Sequence, residues 1–226
     1  MHQGLRNIAL GLVGLTAFTL GSGCQLASGM YESYLRSSTE TIQAEWPGLK
    51  GKTIGVLVAI DPALHTRFPQ MELYILGRVT ERLVFVDKVE GKDPGATGFC
   101  PIDVALAYSA NHPGWIAKPA KELSEGLGGV DCVVLVELDE FQLHDPGNMY
   151  TWDGVASGTV GVFDTTGPLP NEFAFRKAIT VRFPDQKGQN SESMPGDMVS
   201  TELTRRFIDR VVWPFYTHEE PYYKKY

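Results

Sequence analysis

The stretch that decides the fold is Gly129–Leu143, GVDCVVLVELDEFQL, followed by the turn Asp145-Pro146-Gly147-Asn148 and the run Tyr150–Phe163, YTWDGVASGTVGVF. Val130 to Glu137 is almost unbroken apolar and rich in β-branched residues, the pattern of a strand covered on both faces. Val134, Val136 and Leu138 share one parity, whereas Phe141 and Leu143 take the other. A β-bulge near Asp139-Glu140 reconciles them. In the turn, proline fixes φ, and Gly147 and Asn148 tolerate positive φ. The return run sets Trp152, Gly154, Ala156, Gly158, Val160 and Val162 against Thr151, Asp153, Ser157 and Thr159. The spacing predicts a long hairpin. Glu172–Phe183 alternates again, with Phe173, Phe175, Ile179, Val181 and Phe183 on one side and Glu172, Arg176, Thr180 and Arg182 on the other. One face is buried and one is wet.

Working towards the amino terminus, Lys52–Ile60 (KTIGVLVAI) is a second buried strand, ended by Asp61-Pro62. Pro69–Leu83 carries Leu73, Leu76, Val79 and Leu83 at helical spacing, with Pro69 suited to the first helical position. Val84–Val89 reads as a strand and residues 91–98 as a loop. Ile102–Ala110 and Pro119–Leu127 read as short helices split by His112-Pro113-Gly114. Towards the carboxyl terminus, a polar loop precedes a helix with Asp197 as N-cap. Its stripe is Val199, Leu203, Phe207, Val211 and Phe215, widened by Ile208 and Val212, and Pro214 ends or kinks it. The fold class is therefore α/β (α+β). It has a mixed sheet of about five strands in the order β-α-β-α-α-β-β-β-α, helices mainly on one face, in a single domain over residues 50–216.

Composition narrows the function. With 226 residues, 43% hydrophobic and 21% charged, the chain carries enough apolar content for a core and too little charge for disorder. A net charge of −7 disfavours nucleic acid, whose phosphates need clustered cations. Three cysteines cannot make a disulfide scaffold. Arg6, the apolar run Ile8–Leu20 and the small residues Gly21, Ser22 and Gly23 before Cys24 read as an export signal over residues 1–23. The run falls short of the roughly 20 apolar residues that span a bilayer.

The small residues ahead of Cys24 resemble the lipobox of bacterial lipoproteins, with Gly21 where an apolar residue is usual. The resemblance implies acylation of Cys24 and a membrane held through that lipid. It also implies, from Gln25, an outer-membrane address on the periplasmic side. Each buried methylene contributes about 0.8 kcal/mol to such an anchor. Residues 24–49 then form a tether and residues 217–226 an exposed tail.

Reactive groups are sparse. His65, His112, His144 and His218 lack metal-ligand spacing, and neither a Gly-x-Ser-x-Gly elbow nor a phosphate loop is present. No metal or cofactor is expected, and no reaction of the protein's own. A ligand site would fall on Asp61, His65 and Arg67, in the loop after the first strand's carboxyl end, where α/β sheets bind ligands. Cys100 and Cys132 lie at the start and end of a crossover, which favours two separate thiols over a pair within the ~7 Å Cα limit of a disulfide. Trp46, Trp115 and the tail residues Tyr222, Tyr223 and Tyr226 stand outside the apolar stripes, as contact aromatics do. Trp115, Tyr222, Tyr223 and Tyr226, with the wet-face residues Asp153, Arg176 and Arg182, are the candidate partner-binding residues. Oligomerisation is left open.

Taken together, Lys52–Ile60, Pro69–Leu83, the step Gly129-Val130-Asp131 and the long hairpin resemble the α/β domain shared by the amino-terminal part of TolB, CsgG and LpoB, over about residues 50–216. That resemblance implies a role in envelope assembly, secretion or regulation through contacts with an envelope protein, with no catalytic residues to transfer. Two alternatives are an ABC-type transport auxiliary lipoprotein and a periplasmic ligand-binding domain or hydrolase using residues 61–67.

Overall fold

The computed structural model describes residues 38–85 and 94–221. Its elements are β1 (Thr39–Ile42), β2 (Thr53–Ile60), α1 (Pro62–Arg67), α2 (Met71–Phe85), β3 (Gly98–Phe99), α3 (Ile102–Asn111), α4 (Ala120–Gly126), β4 (Cys132–Gln142), β5 (Gly154–Asp164), β6 (Phe173–Phe183), α5 (Gly196–Val212) and β7 (His218–Pro221). The chain divides into two units. In the smaller, whose described residues are 38–41 and 219–221, β1 and β7 form a two-stranded sheet. The larger, residues 42–218, holds a five-stranded sheet in the order β3-β2-β4-β5-β6.

The expected α/β architecture with a mixed sheet is present. β2 pairs parallel with β3 and β4, and β4, β5 and β6 run antiparallel. The β4–β5 register steps from Leu138↔Gly158 to Glu140↔Ser157, so Asp139 is the bulged residue that the parity change requires. The Asp145 carbonyl accepts the Asn148 N–H at 3.0 Å, closing the turn with Gly147 at φ 89°.

The register places Val56, Val134, Val160 and Ala156 on one face of the sheet. There α5 contributes the buried stripe Val199, Leu203, Phe207 and Val211, and α2 contributes Met71, Ile75, Leu76, Val79 and Leu83. Gly55, Val133 and Leu135 lie on the opposite face. A Cβ on Gly55 would stand 2.7 Å from Leu127, just past α4, so the returning crossover covers this face at β2.

Several local expectations are corrected. Val84 and Phe85 close α2 rather than opening a strand, and the remainder of 84–89 lies outside the described residues. The edge strand is instead the two-residue β3, which begins at Gly98, the last residue of the stretch read as loop. In α2 the stripe runs through Ile75, while Leu73 is 51% exposed, because four-residue steps from Met71 keep the inward face. Residues 62–67 form α1 rather than a loop: Asp61 Oδ1 accepts the Ala63 N–H at 2.8 Å, and Pro62 begins the helix. α5 starts at Gly196, which puts Asp197 inside its first turn rather than at its cap. Upstream of residue 50, Leu49 is fully buried and Trp46 stacks on Phe175 (6.2 Å) and meets Phe215 edge-on (6.1 Å). The core thus takes in the end of the expected tether.

A second bulge corrects one alternation. Val162 faces Phe175, but Phe163 faces Phe173, so Ala174 is the extra residue. Phe173 is thereby turned to the other face, where its ring stacks on Phe163 at 4.1 Å.

Candidate functional site

The sheet's second face is open for a topological reason. The chain between β3 and β4 crosses back over β2 and the first half of β4, burying Val133 and Leu135, and the hairpin that follows carries the sheet beyond that cover. Past that cover, Glu137, Ser157, Thr159, Arg176, Thr180 and Arg182 carry the alternate parity of β4, β5 and β6 and reach water. Thr159 Oγ1 donates to Glu137 at 2.5 Å, and Arg176 Nη2 donates to the same carboxylate at 3.4 Å. Glu140 accepts from Ser157 Oγ (3.0 Å) and Gln142 Nε2 (2.6 Å). Arg182 reaches Asp153 at 3.5 Å, and the Arg176 guanidinium lies 5.0 Å from the centre of the Phe173 ring.

These contacts are weak by design of their surroundings. The side chains of Arg176 and Arg182 are 53% and 58% exposed, and exposed ion pairs are typically worth about 0–1 kcal/mol. Both cations can exchange their present carboxylates for others at little cost. The face thus brings together Asp153, Arg176 and Arg182 from the sequence reading. It includes Ser157, set on the polar side by its parity, and adds Glu137, Glu140 and the Phe163–Phe173 pair, which that reading missed. Phe163 was legible by its parity, opposite to Val162; Phe173 was hidden by the Ala174 bulge.

Other candidates separate. Trp115 is corrected: it begins a 3₁₀ turn after Gly114, folds inward and is only 7% exposed, while its neighbour Ile116 faces out. Tyr222, Tyr223, Tyr226 and Cys24 lie outside the described residues. The first residues of the expected tail form β7, and His218 is buried with its ring stacked on Trp213 at 4.7 Å.

Asp61, His65 and Arg67 do not converge. His65 Nε2 faces Glu72 at 3.5 Å. Arg67 borders a hollow of about 510 Å³ with Phe68, Met71, Tyr74 and Thr201, in which no carboxylate takes part. Asp61 borders a different depression, of about 270 Å³, beside Glu137 and Asp139. Among the described residues, no three His, Cys, Asp or Glu side chains gather as a cation site, and no helix is long and apolar enough to cross a membrane.

A polar cluster at the other end of the strands is structural. Lys52 pairs with Asp164, and Asp131 accepts from the N–H and Oγ1 of Thr53. Those two donors from Thr53 hold the Asp131 carboxyl below its usual range. Cys132 is fully buried, and that burial pushes its thiol up to about 12. Cys100 and Cys132 are free thiols on strands or strand ends either side of β2: the Cys100 N–H donates to Ile54, and Ile54 is the register partner of Cys132. Two strand spacings, about 9.6 Å, part them.

No family model and no curated protein matches the sequence. Among solved structures, the chain is similar to the PelC dodecamer from Paraburkholderia phytofirmans (12% identity over 80% of this chain and 98% of that one, TM-score 0.41). It is also similar to lipoprotein GNA1162 from Neisseria meningitidis (14%, 68% and 96%, TM-score 0.43). A third is the hypothetical protein CT253 from Chlamydia trachomatis (18%, 74% and 98%, TM-score 0.45). At these identities and scores the likeness says nothing of activity, partner or assembly. The likeness to TolB, CsgG and LpoB rests on the sequence alone.

Proposed function

We propose that this protein is a lipid-anchored accessory of the bacterial envelope, acting through protein contacts made by the open face of β4, β5 and β6 and catalysing no reaction of its own. The observation that carries this reading is the half-covered sheet. Its exposed side presents loosely held cations and a stacked phenylalanine pair, the mixture of charge and aromatic surface found at interfaces. The small residues before Cys24 support the anchor, which would hold the face near a membrane.

The test is site-specific photocrosslinking of the full chain in its native envelope. A photoreactive residue at Thr180, exposed on the open face, is expected to capture one envelope protein. The same group at Glu81, on the outer side of α2, should not. Equal capture from both positions, or none from Thr180, refutes the reading. Mass spectrometry of the mature amino terminus tests the anchor: an unmodified terminus anywhere but residue 24 removes it. The transport-auxiliary alternative differs only in partner, and the captured protein decides it.

A second reading has its own observation. The hollow beside Arg67 is lined by Phe68, Met71 and Tyr74, which suits an apolar ligand with an anionic end better than a hydrolytic substrate. A ligand-induced rise in melting temperature that disappears in Tyr74→Ala would favour it.

A further inference from the structure

We infer that the outer edge of β6 recruits an extended, acidic segment of a partner protein as an added strand; this rests on, and sharpens, the contact role proposed for the open face.

The backbone directions follow from the neighbouring ladder. The N–H of Asp153 donates to Leu143 and that of Thr165 to Asp131, so odd-numbered residues of β5 point to β4 and even-numbered ones to β6. Opposite those even residues, Lys177, Ile179 and Val181 of β6 point inward. Arg176, Ala178, Thr180 and Arg182 therefore point out. Arg206 confirms the assignment, because its Nη1 donates to the Arg182 carbonyl at 2.9 Å from outside the ladder. The N–H and C=O groups of Arg176, Ala178 and Thr180 have no such partner among the described residues, and all three residues are exposed. β6 is eleven residues long and contains no proline. Such an edge is a template for another strand.

Charge selects the occupant. From Phe173 to Phe183 the strand has three cations, Arg176, Lys177 and Arg182, and no carboxylate. Arg176 and Arg182 lie on the open face, six residues apart, and an added strand would set its own residues opposite them. Acidic residues at that six-residue interval, with small or β-branched residues between, satisfy both cations and the pleat. A second copy fits worse. Antiparallel pairing of the whole 176–182 edge with itself would place Arg176 against Arg182, like charges directly opposed.

The probe is the synthetic peptide TEVTVTVET, with TKVTVTVKT as its charge-swapped control, added to the full-length protein. Hydrogen exchange at residues 176–180 is expected to slow by about tenfold or more with the acidic peptide, and binding of the control to be at least about tenfold weaker. Ala178→Pro removes only an outward N–H, leaves the β5–β6 ladder intact, and should abolish the protection. Should that variant fail to fold, the double change Arg176→Glu with Arg182→Glu is expected to reverse the preference between the peptides. Absence of protection, equal binding of both peptides, or undiminished binding to a folded Ala178→Pro overturns the inference. Protection that grows with protein concentration in the absence of peptide also overturns it, and names a second copy as the occupant. If Thr180 still crosslinks an envelope protein while the edge stays unprotected, the face reading stands and the edge inference alone falls.

Discussion

Thr53 and Asp131 clasp each other across the parallel strands: the Thr53 N–H and Oγ1 both donate to Asp131 Oδ2 at 2.8 Å, and the Asp131 N–H donates back to Thr53 Oγ1 at 3.0 Å. The clasp joins the start of β2 to the residue just ahead of β4 and sets their register, which continues as Ile54↔Cys132. Thr53→Val keeps the shape and deletes the hydroxyl. It is expected to cost about 1–2 kcal/mol, read as a lower urea midpoint, because the Asp131 N–H loses its acceptor and the carboxylate one donor.

The same clasp predicts an acid response. Thr53 holds the Asp131 carboxyl below its usual range, and hydrogen bonds from Arg205, then Arg206, do so for Glu202 against the opposing effect of burial. With both folded-state values depressed, the unfolded chain binds more protons in acid. Their stabilisation is complete above the ordinary carboxylate range, about pH 4, and is lost as pH falls through the folded-state values. Urea midpoints measured between pH 6 and pH 2.5 should fall below about pH 4, and less steeply in Thr53→Val.

Gly158 sits where β4 and β5 pass at the Asp139 bulge, and a Cβ there would run into the Glu137 carbonyl oxygen. Backbone cannot swing aside as a side-chain tip can. Gly158→Ala is expected to destabilise by about 2–3 kcal/mol and to lower the melting temperature by roughly 5–10 °C. Gly147→Ala tests a different physics, strain at φ 89° with open space around it, and should cost less, about 1 kcal/mol.

Arg206 binds Asp185 with two parallel hydrogen bonds of 2.8 and 2.9 Å, and its Nε donates to Glu202 at 3.0 Å. Its side chain is only 7% exposed, whereas both carboxylates are about a quarter exposed. Removing the guanidinium leaves two carboxylates that water can partly reach, so Arg206→Ala should cost about 3 kcal/mol, the lower end for a broken buried pair. Arg206→Lys should recover only part of this, since an ammonium cannot reproduce the fork. Chemical denaturation of the two variants decides it.

Cys132 should be inert in the native state. Its thiol is buried and pushed up to about 12, so at pH 8 almost none is thiolate, the reactive form. A thiol reagent is expected to leave it unlabelled until denaturant is added. Labelling in the folded protein at a rate like that of a free peptide cysteine contradicts this.

Much of the larger unit was legible because burial dictates period. The unbroken run Val130–Glu137 and the parity change at Asp139-Glu140 announce a two-sided strand and its bulge before any coordinates. Elsewhere the competing rule won. Val84 and Phe85 have strand propensity, but the inward stripe of α2 reaches Leu83 and carries them along as helix. Trp115 breaks no apolar period because a turn as short as Trp115–Ala117 has none to break. Phe173 obeys the alternation of its strand in sequence and departs from it in space, through one inserted residue. The site suffered most, since its members sit on three strands whose shared face depends on that insertion and on which strands the crossover covers.

That division of labour has a consequence for how such a molecule can change. Lengthening the hairpin would widen the exposed area without disturbing the parallel strands or the helices that stabilise them. The scaffold and the surface it offers are thus separately adjustable, and a lineage could acquire a new neighbour by altering β5 and β6 while leaving the rest of the polypeptide as it was.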